Sequence, residues 1–204
     1  MQNFFQIHIK ESSMMDTRKI VQALAFFAYN QPNHLLNNRK AYKLLWLADR
    51  LQLRRSGRFL TGDKYYAMPF GPVPSDAKNI LEQKPTMKTT DTGYVAQYLK
   101  CNKTNYTAVE PDMRVFSISD IEILKDVLSR FNQMSTADLS SMSHEFPEWL
   151  AYKDKIADEK VGSAYPIDVD LFFEESENPN NAFFADDATA LELAKELYHQ
   201  TNRC

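Results

Sequence analysis

Between residues 58 and 74 this chain cannot run as a helix, because Gly62, Pro69, Gly71, Pro72 and Pro74 interrupt it repeatedly. Each proline fixes φ and removes a backbone donor, and each glycine permits angles denied to other residues. Only Lys64 to Met68, rich in aromatics, reads as a short strand there. Whatever fold forms must therefore turn around a stiff segment set between helical stretches.

The flanking stretches have helical period. Asp16 caps a helix reaching about Asn30, with Ile20, Ala23, Leu24 and Phe27 in phase and Pro32 preventing continuation. A second helix starts at Asn37 or Asn38, places Ala41, Leu44, Leu45, Ala48 and Leu51 on one face, and ends near Arg54 with Gly57 just beyond. Ser75 suits the N-cap of a short helix to about Lys84. Tyr94 to Leu99 and Tyr106 to Val109 read as strands of a β-hairpin around a polar turn at residues 101–105. Ser119 with Glu122 forms a capping box for a helix from Asp120 to about Asn132. Ser135 opens a further helix through Leu139, and Pro147 takes the first position of another containing Trp149 and Tyr152. Past Gly162 lie an acidic-apolar run, Asp168 to Glu175, and a linker-like stretch, Ser176 to Asn181. Asp186 or Asp187 then caps an amphipathic helix bearing Leu191, Ala194, Leu197 and Tyr198, which packs on the body or docks elsewhere. The fold class expected is α+β, predominantly α-helical: a compact helical array with a short strand and a β-hairpin insertion. Residues 16–162 make one domain, between an N-terminal extension over 1–15 and an acidic C-terminal extension over 163–204.

At 204 residues with 44% hydrophobic residues the chain can bury a substantial core. No apolar run approaches the roughly 18 residues of a membrane span. Residues 1–15 show no basic leader and apolar stretch, and Cys101 and Cys204 are too few for a disulfide framework, so a reducing cytoplasm is the expected compartment. Charge is uneven: 15 Lys and Arg stand against 7 Asp and Glu through Lys100, and 9 against 20 after it. Either the halves neutralise each other or each offers a charged face to a partner. Glu174, Glu175, Glu177, Asp186 and Asp187 flank Phe172, Phe173, Phe183 and Phe184, so the tail is expected on the basic half or on a partner.

Catalytic patterns are missing. Gly57 to Lys64 copies the glycines of a phosphate loop but carries Asp63 where the lysine belongs, and it follows a helix rather than a strand. His8, His34, His144 and His199 are scattered, without metal-ligand spacing, and no nucleophile elbow occurs. No cofactor, metal or catalytic set is expected, and protein binding is the leading function. The alternative is nucleic-acid binding, since Arg54, Arg55, Arg58 and Lys64 interleave with Phe59, Tyr65, Tyr66 and Phe70. A plainer account has those aromatics filling the core and the arginines pairing with Asp49, Asp63 and Asp76. An enzyme without a recognisable motif is the weaker alternative.

The run Lys43-Leu-Leu-Trp-Leu-Ala-Asp49-Arg50, then Gly57-Arg58, Thr61-Gly62-Asp63 and Tyr65-Tyr-Ala-Met68-Pro69-Phe70-Gly71-Pro72-Val73-Pro74-Ser75, closely resembles the signature of the Panacea family, also called SocA-like antitoxins. Phe116 to Asp120 and Ser143 to Trp149, with His144, are similar to its second block. The resemblance spans about residues 16–155. It implies a bacterial or phage-borne antitoxin that neutralises a toxin encoded beside it by direct contact; some relatives present the toxin to a protease. Two expectations attach to the signature. Pro69 to Pro74 forms a rigid platform, with Gly71 at positive φ, or Asp49, Arg50, Arg58 and Asp63 form an ion-pair cluster that ties loop to helix. Thr61-Gly62-Asp63 supplies a turn in which Asp63 accepts backbone hydrogen bonds and pairs with Arg50 or Arg58.

Overall fold

The computed structural model describes residues 17–84, 89–158, 163–184 and 187–202. Helix α1 covers residues 17–29; Asp16, assigned above as its cap, lies outside the described residues. Helix α2 (Asn38–Ser56) begins where the Asn37 side chain accepts the N–H groups of Arg39 and Lys40, and stops at Gly57, whose left-handed backbone (φ 67°) lets its N–H reach the Leu53 carbonyl. Both boundaries are local signals and fall where the sequence puts them.

The environment of α2 differs from the amphipathic expectation. Every residue from Ala41 to Arg54 is buried, the polar ones included. The strands among the described residues are β1 (Leu35–Asn37), β2 (Tyr65–Met68), β3 (Gly71–Pro74), β4 (Leu99–Cys101), β5 (Asn105–Ala108) and β6 (Tyr165–Pro166). The helices after α2 are α3 (Ser75–Leu81), α4 (Thr89–Tyr98), α5 (Ile118–Phe131), α6 (Thr136–Ser143), α7 (Pro147–Leu150), α8 (Lys153–Asp158) and α9 (Ala188–Thr201). Helix α2 is enclosed by α5, α6, α9, β3 and the 3-10 turn Val169–Phe173, so each polar side chain on it needs an internal partner.

The fold is predominantly helical α+β, as expected, with two antiparallel three-stranded sheets ordered β1-β5-β4 and β3-β2-β6. Gly71 to Pro74, expected as loop, is a strand: β2 and β3 form a hairpin with Tyr65 opposite Pro74 and Met68 opposite Gly71. Its prolines are tolerated because β3 is an edge strand, with no outer neighbour among the described residues asking for an N–H. Tyr94 to Tyr98, expected as strand, belongs to α4; the two tyrosines are one helical turn apart and their rings lie 5.1 Å from each other. The hairpin survives in shorter form as β4–β5.

Three caps move. The box of α5 joins Ser117 to Asp120, not Ser119 to Glu122. Ser75 is the first residue of α3 rather than its cap, and Pro74 at the cap has no side-chain acceptor to give. The Asp63 carboxylate fills that place from outside, accepting the N–H groups of Asp76 and Ala77 at 2.9 and 2.8 Å. Helix α6 keeps its Ser135 cap but runs on to Ser143, and Asp187 caps α9 while Asp186 lies outside the described residues.

Ser176 to Asn181 does not behave as a linker. Ser176 donates to the Glu145 carbonyl at 2.7 Å, Asn178 donates to the Glu145 carboxylate at 2.7 Å, and a 3-10 turn covers Pro179–Phe183. Phe172, Phe173 and Phe184 are buried, and α9 packs on α2 with Ala194 pressed so close to Gly57 that a Cβ there would overlap the Ala194 carbonyl. The described residues contain no helix long and apolar enough to cross a membrane.

Candidate partner-binding surface

The polar residues that α2 takes into the interior divide by position. Toward its C-terminus, Arg50 donates from Nη1 to both oxygens of Glu148 at 2.9 and 2.7 Å and from Nη2 to the Glu174 carbonyl at 2.9 Å. Glu148 also accepts the Trp46 indole N–H at 2.9 Å. The guanidinium lies 4.8 Å from the Phe146 ring centre, and Nε is left without a partner among the described residues. Burial lowers the Arg50 pKa and the Glu148 carboxylate opposes that shift. One turn on, Arg54 donates to the carbonyls of Phe184, Phe172 and Glu174 and to the Glu175 carboxylate. These two arginines hold the tail onto the core through its backbone.

The expected pairing of arginines with Asp49, Asp63 and Asp76 does not form. Asp49 accepts the Thr61 N–H at 2.8 Å, the Thr61 hydroxyl, and the Tyr65 hydroxyl at 2.6 Å. Burial raises its pKa while these bonds pull the other way. Neighbours along a helix point to different sides, so Asp49 faces the 61–65 turn while Arg50 faces α7. Asp63 is likewise engaged by backbone, with Lys64 N–H at 2.7 Å joining the two α3 groups, and burial pushes its carboxyl up to about 7. Because Oδ1 and Oδ2 both accept, an asparagine there would turn a donor toward one of these N–H groups, so Asp63→Asn does not preserve the hydrogen bonding. Arg58 pairs instead with Asp120, the N3 residue of α5, at 2.7 Å. Gly62 turns at φ 74° between Thr61 and Asp63. Asp49, Arg50, Thr61, Asp63 and Tyr65 are thus interior, and Arg54 is buried with them, which takes it off any nucleic-acid face.

The β2–β3 hairpin is different. Three alternate carbonyls of its tip are held by side chains from three helices: Met68 by the Trp149 indole at 2.9 Å, Phe70 by the Ser140 hydroxyl at 2.6 Å, and Pro72 by the Lys43 ammonium at 2.9 Å. Pro69 and Phe70 form the turn, and Gly71 closes it at φ 100°. A Cβ on Gly71 would overlap the Ser143 hydroxyl and the Lys43 ammonium. His144 stacks on Trp149 at 3.8 Å beneath the hairpin; burial, then the Lys43 charge, lowers its pKa. The backbone is fully braced, yet Phe70 at its apex is 57% exposed, with Arg39 4.6 Å from its ring centre.

Beside Phe70 lies a groove of about 670 Å³ between the start of α2, the hairpin, α3, the β4–β5 turn and α6. Met68, Pro69, Phe70 and Val73 supply its apolar wall, and Asn38, Arg39, Lys43, Lys78, Glu82 and Lys103 its polar parts. Of the residues the sequence singles out, Met68 to Val73 gather here with His144 and Trp149 underneath, and Pro74 continues the edge strand toward α3. Asn38 was named only as a helix start, and the roles of Lys43, Ser140 and Glu148 escaped notice, although Lys43 stands inside the quoted signature before an apolar run, Leu44 to Ala48. No group of metal-ligating side chains occurs among the described residues.

A family model described as antitoxin SocA-like, Panacea domain, matches residues 42–150. That span runs from the Tyr42 turn of α2 to the end of α7 and contains the hairpin, Ser140 and Trp149; it is narrower than residues 16–155 and leaves α1 and the tail outside. No curated protein and no solved structure matches the chain.

Proposed function

The chain belongs to the SocA-like antitoxin family with its Panacea domain, and from that premise we propose that it neutralises a toxin encoded beside it by direct protein contact, made through the braced hairpin tip. The observation that carries the proposal is Phe70. A large aromatic ring stands in solvent on a backbone tied by Trp149, Ser140 and Lys43. Such a ring binds with little loss of conformational freedom, and aromatic and arginine side chains dominate interface hot spots. The polar signature residues Asp49, Thr61 and Asp63 serve this surface indirectly, by fixing the 61–65 turn and the start of α3 on which the hairpin rests.

Coexpression tests the proposal. The product of the neighbouring gene should arrest growth alone, and the present chain should restore growth and copurify with it. Arrest that persists with no copurification overturns the proposal.

A further inference from the structure

The groove beside Phe70 contains polar capacity that the described residues leave unfilled. Asn38 is 5% exposed and lines the groove, and its Oδ1 has no hydrogen-bond partner among the described residues. Lys43 is 3% exposed and lines the same groove, and the Pro72 carbonyl is the acceptor at its ammonium. The group carries three N–H donors as an ammonium and two as an amine, so one carbonyl does not satisfy it in either state. Interior polar groups left this way are destabilising, and their persistence along one groove points to a ligand that completes them.

From this we propose that the groove receives an acidic peptide segment of a protein partner, its carboxylate held by Lys43 and Arg39 and a peptide N–H given to Asn38 Oδ1. The proposal rests on the chain being a protein-binding module and names the chemistry of what it binds. Charge favours such an occupant: Arg39, Lys78 and Lys103 line the groove against the single carboxylate of Glu82, which Lys78 neutralises at 2.8 Å. The apolar wall, Met68, Val73 and the Phe70 ring, suits a hydrophobic side chain next to the acidic one. A nucleic-acid phosphate brings acceptors alone and leaves Asn38 Oδ1 unmet, so the observations favour peptide. Lys43 joins the two surfaces, since the same ammonium braces the hairpin through Pro72 and faces the groove.

The test needs no toxin. A phage-displayed random peptide library is panned on the full chain, and the enriched peptide, made with a fluorescein label, is titrated by anisotropy. The expected consensus carries Asp or Glu beside an apolar residue. Lys43→Met should weaken its binding by about tenfold or more, the loss expected for a hydrogen bond to a charged group. Arg39→Glu and Lys103→Glu, at exposed positions, should weaken it as well and keep the test sound if Lys43→Met misfolds. No enrichment, a consensus without acidic residues, binding indifferent to all three substitutions, or a single-stranded oligonucleotide binding the groove in place of the peptide each overturns the proposal. Lost peptide binding with intact growth rescue rejects the groove alone; intact peptide binding without rescue rejects the antitoxin proposal alone.

Discussion

The two ends of α2 solve the same problem in opposite ways. At the C-terminal end Arg50 and Arg54 lie in the interior, each with a carboxylate, Arg50 with one carbonyl and Arg54 with three, supplied by α7 and the tail. At the N-terminal end Asn38 and Lys43 are just as deeply buried but border a groove and retain unfilled capacity. Apart from Arg50 Nε the C-terminal end is satisfied, and it is architecture, because a buried guanidinium paired with a carboxylate constrains whatever surrounds it. The unsatisfied end is where an external group has something to complete. Signature residues fall at both ends, so membership of a motif does not by itself mark a contact with the partner.

The largest effect should follow from removing the architecture. Truncation after Gly162 takes away Phe172, Phe173 and Phe184, each worth about 1.5–3 kcal/mol of burial, and strips Arg50 and Arg54 of their carbonyl acceptors. Against a typical total of about 5–15 kcal/mol, the truncated chain should fail to fold cooperatively, visible as a lost thermal transition in circular dichroism. Next comes Glu148→Ala, which leaves the Arg50 charge unpaired and should cost about 3–5 kcal/mol in urea unfolding. A stability near that of the parent would show that water reaches Arg50 and that the two ends are not distinct.

Gly71→Ala acts at the hairpin. A non-glycine residue at φ 100° is strained, and the added methyl group collides with Ser143 and Lys43, so a loss of about 1–3 kcal/mol with weakened toxin neutralisation is expected. Helical content should hardly change. Unaltered neutralisation would mean that the hairpin geometry is irrelevant to the partner.

The last stability effect is small per unit of pH and accumulates across the scale. Burial lowers the Lys43 pKa from 10.5 to about 7. Between these values the unfolded chain holds a proton that the folded chain has released, so this group makes stability rise with pH across that window, by at most about 1.4 kcal/mol per unit. Lys43→Met should remove that rise: the stability difference between parent and variant, measured from pH 7 to 10, should shift steadily in favour of the parent. A difference that stays flat would place Lys43 in solvent.

Much of the architecture was legible in the sequence because helix ends are local events. Asn37 with Gly57, Ser135, Pro147 and Asp187 act within a few residues of where they stand. Partner choice was not legible. Glu148 is 98 residues from Arg50 and Phe184 is 130 from Arg54, whereas the nearer acids Asp49 and Asp63 are consumed by backbone and hydroxyl donors. The β3 strand was hidden by prolines that would exclude it from a sheet interior but not from an edge. Of the binding surface, Phe70 and Gly71 stood in the signature, while Asn38 was read only as a possible helix start and Lys43 was passed over, since neither Asn nor Lys signals burial by type.

The central claim, that the partner meets the hairpin end of α2 and not its interior ion pairs, is tested most directly by Phe70→Ala. Phe70 is exposed, so the urea unfolding free energy should stay within about 0.5 kcal/mol of the parent. Growth rescue in coexpression with the product of the neighbouring gene should meanwhile fall sharply. Full rescue by a stably folded Phe70→Ala protein would contradict the claim.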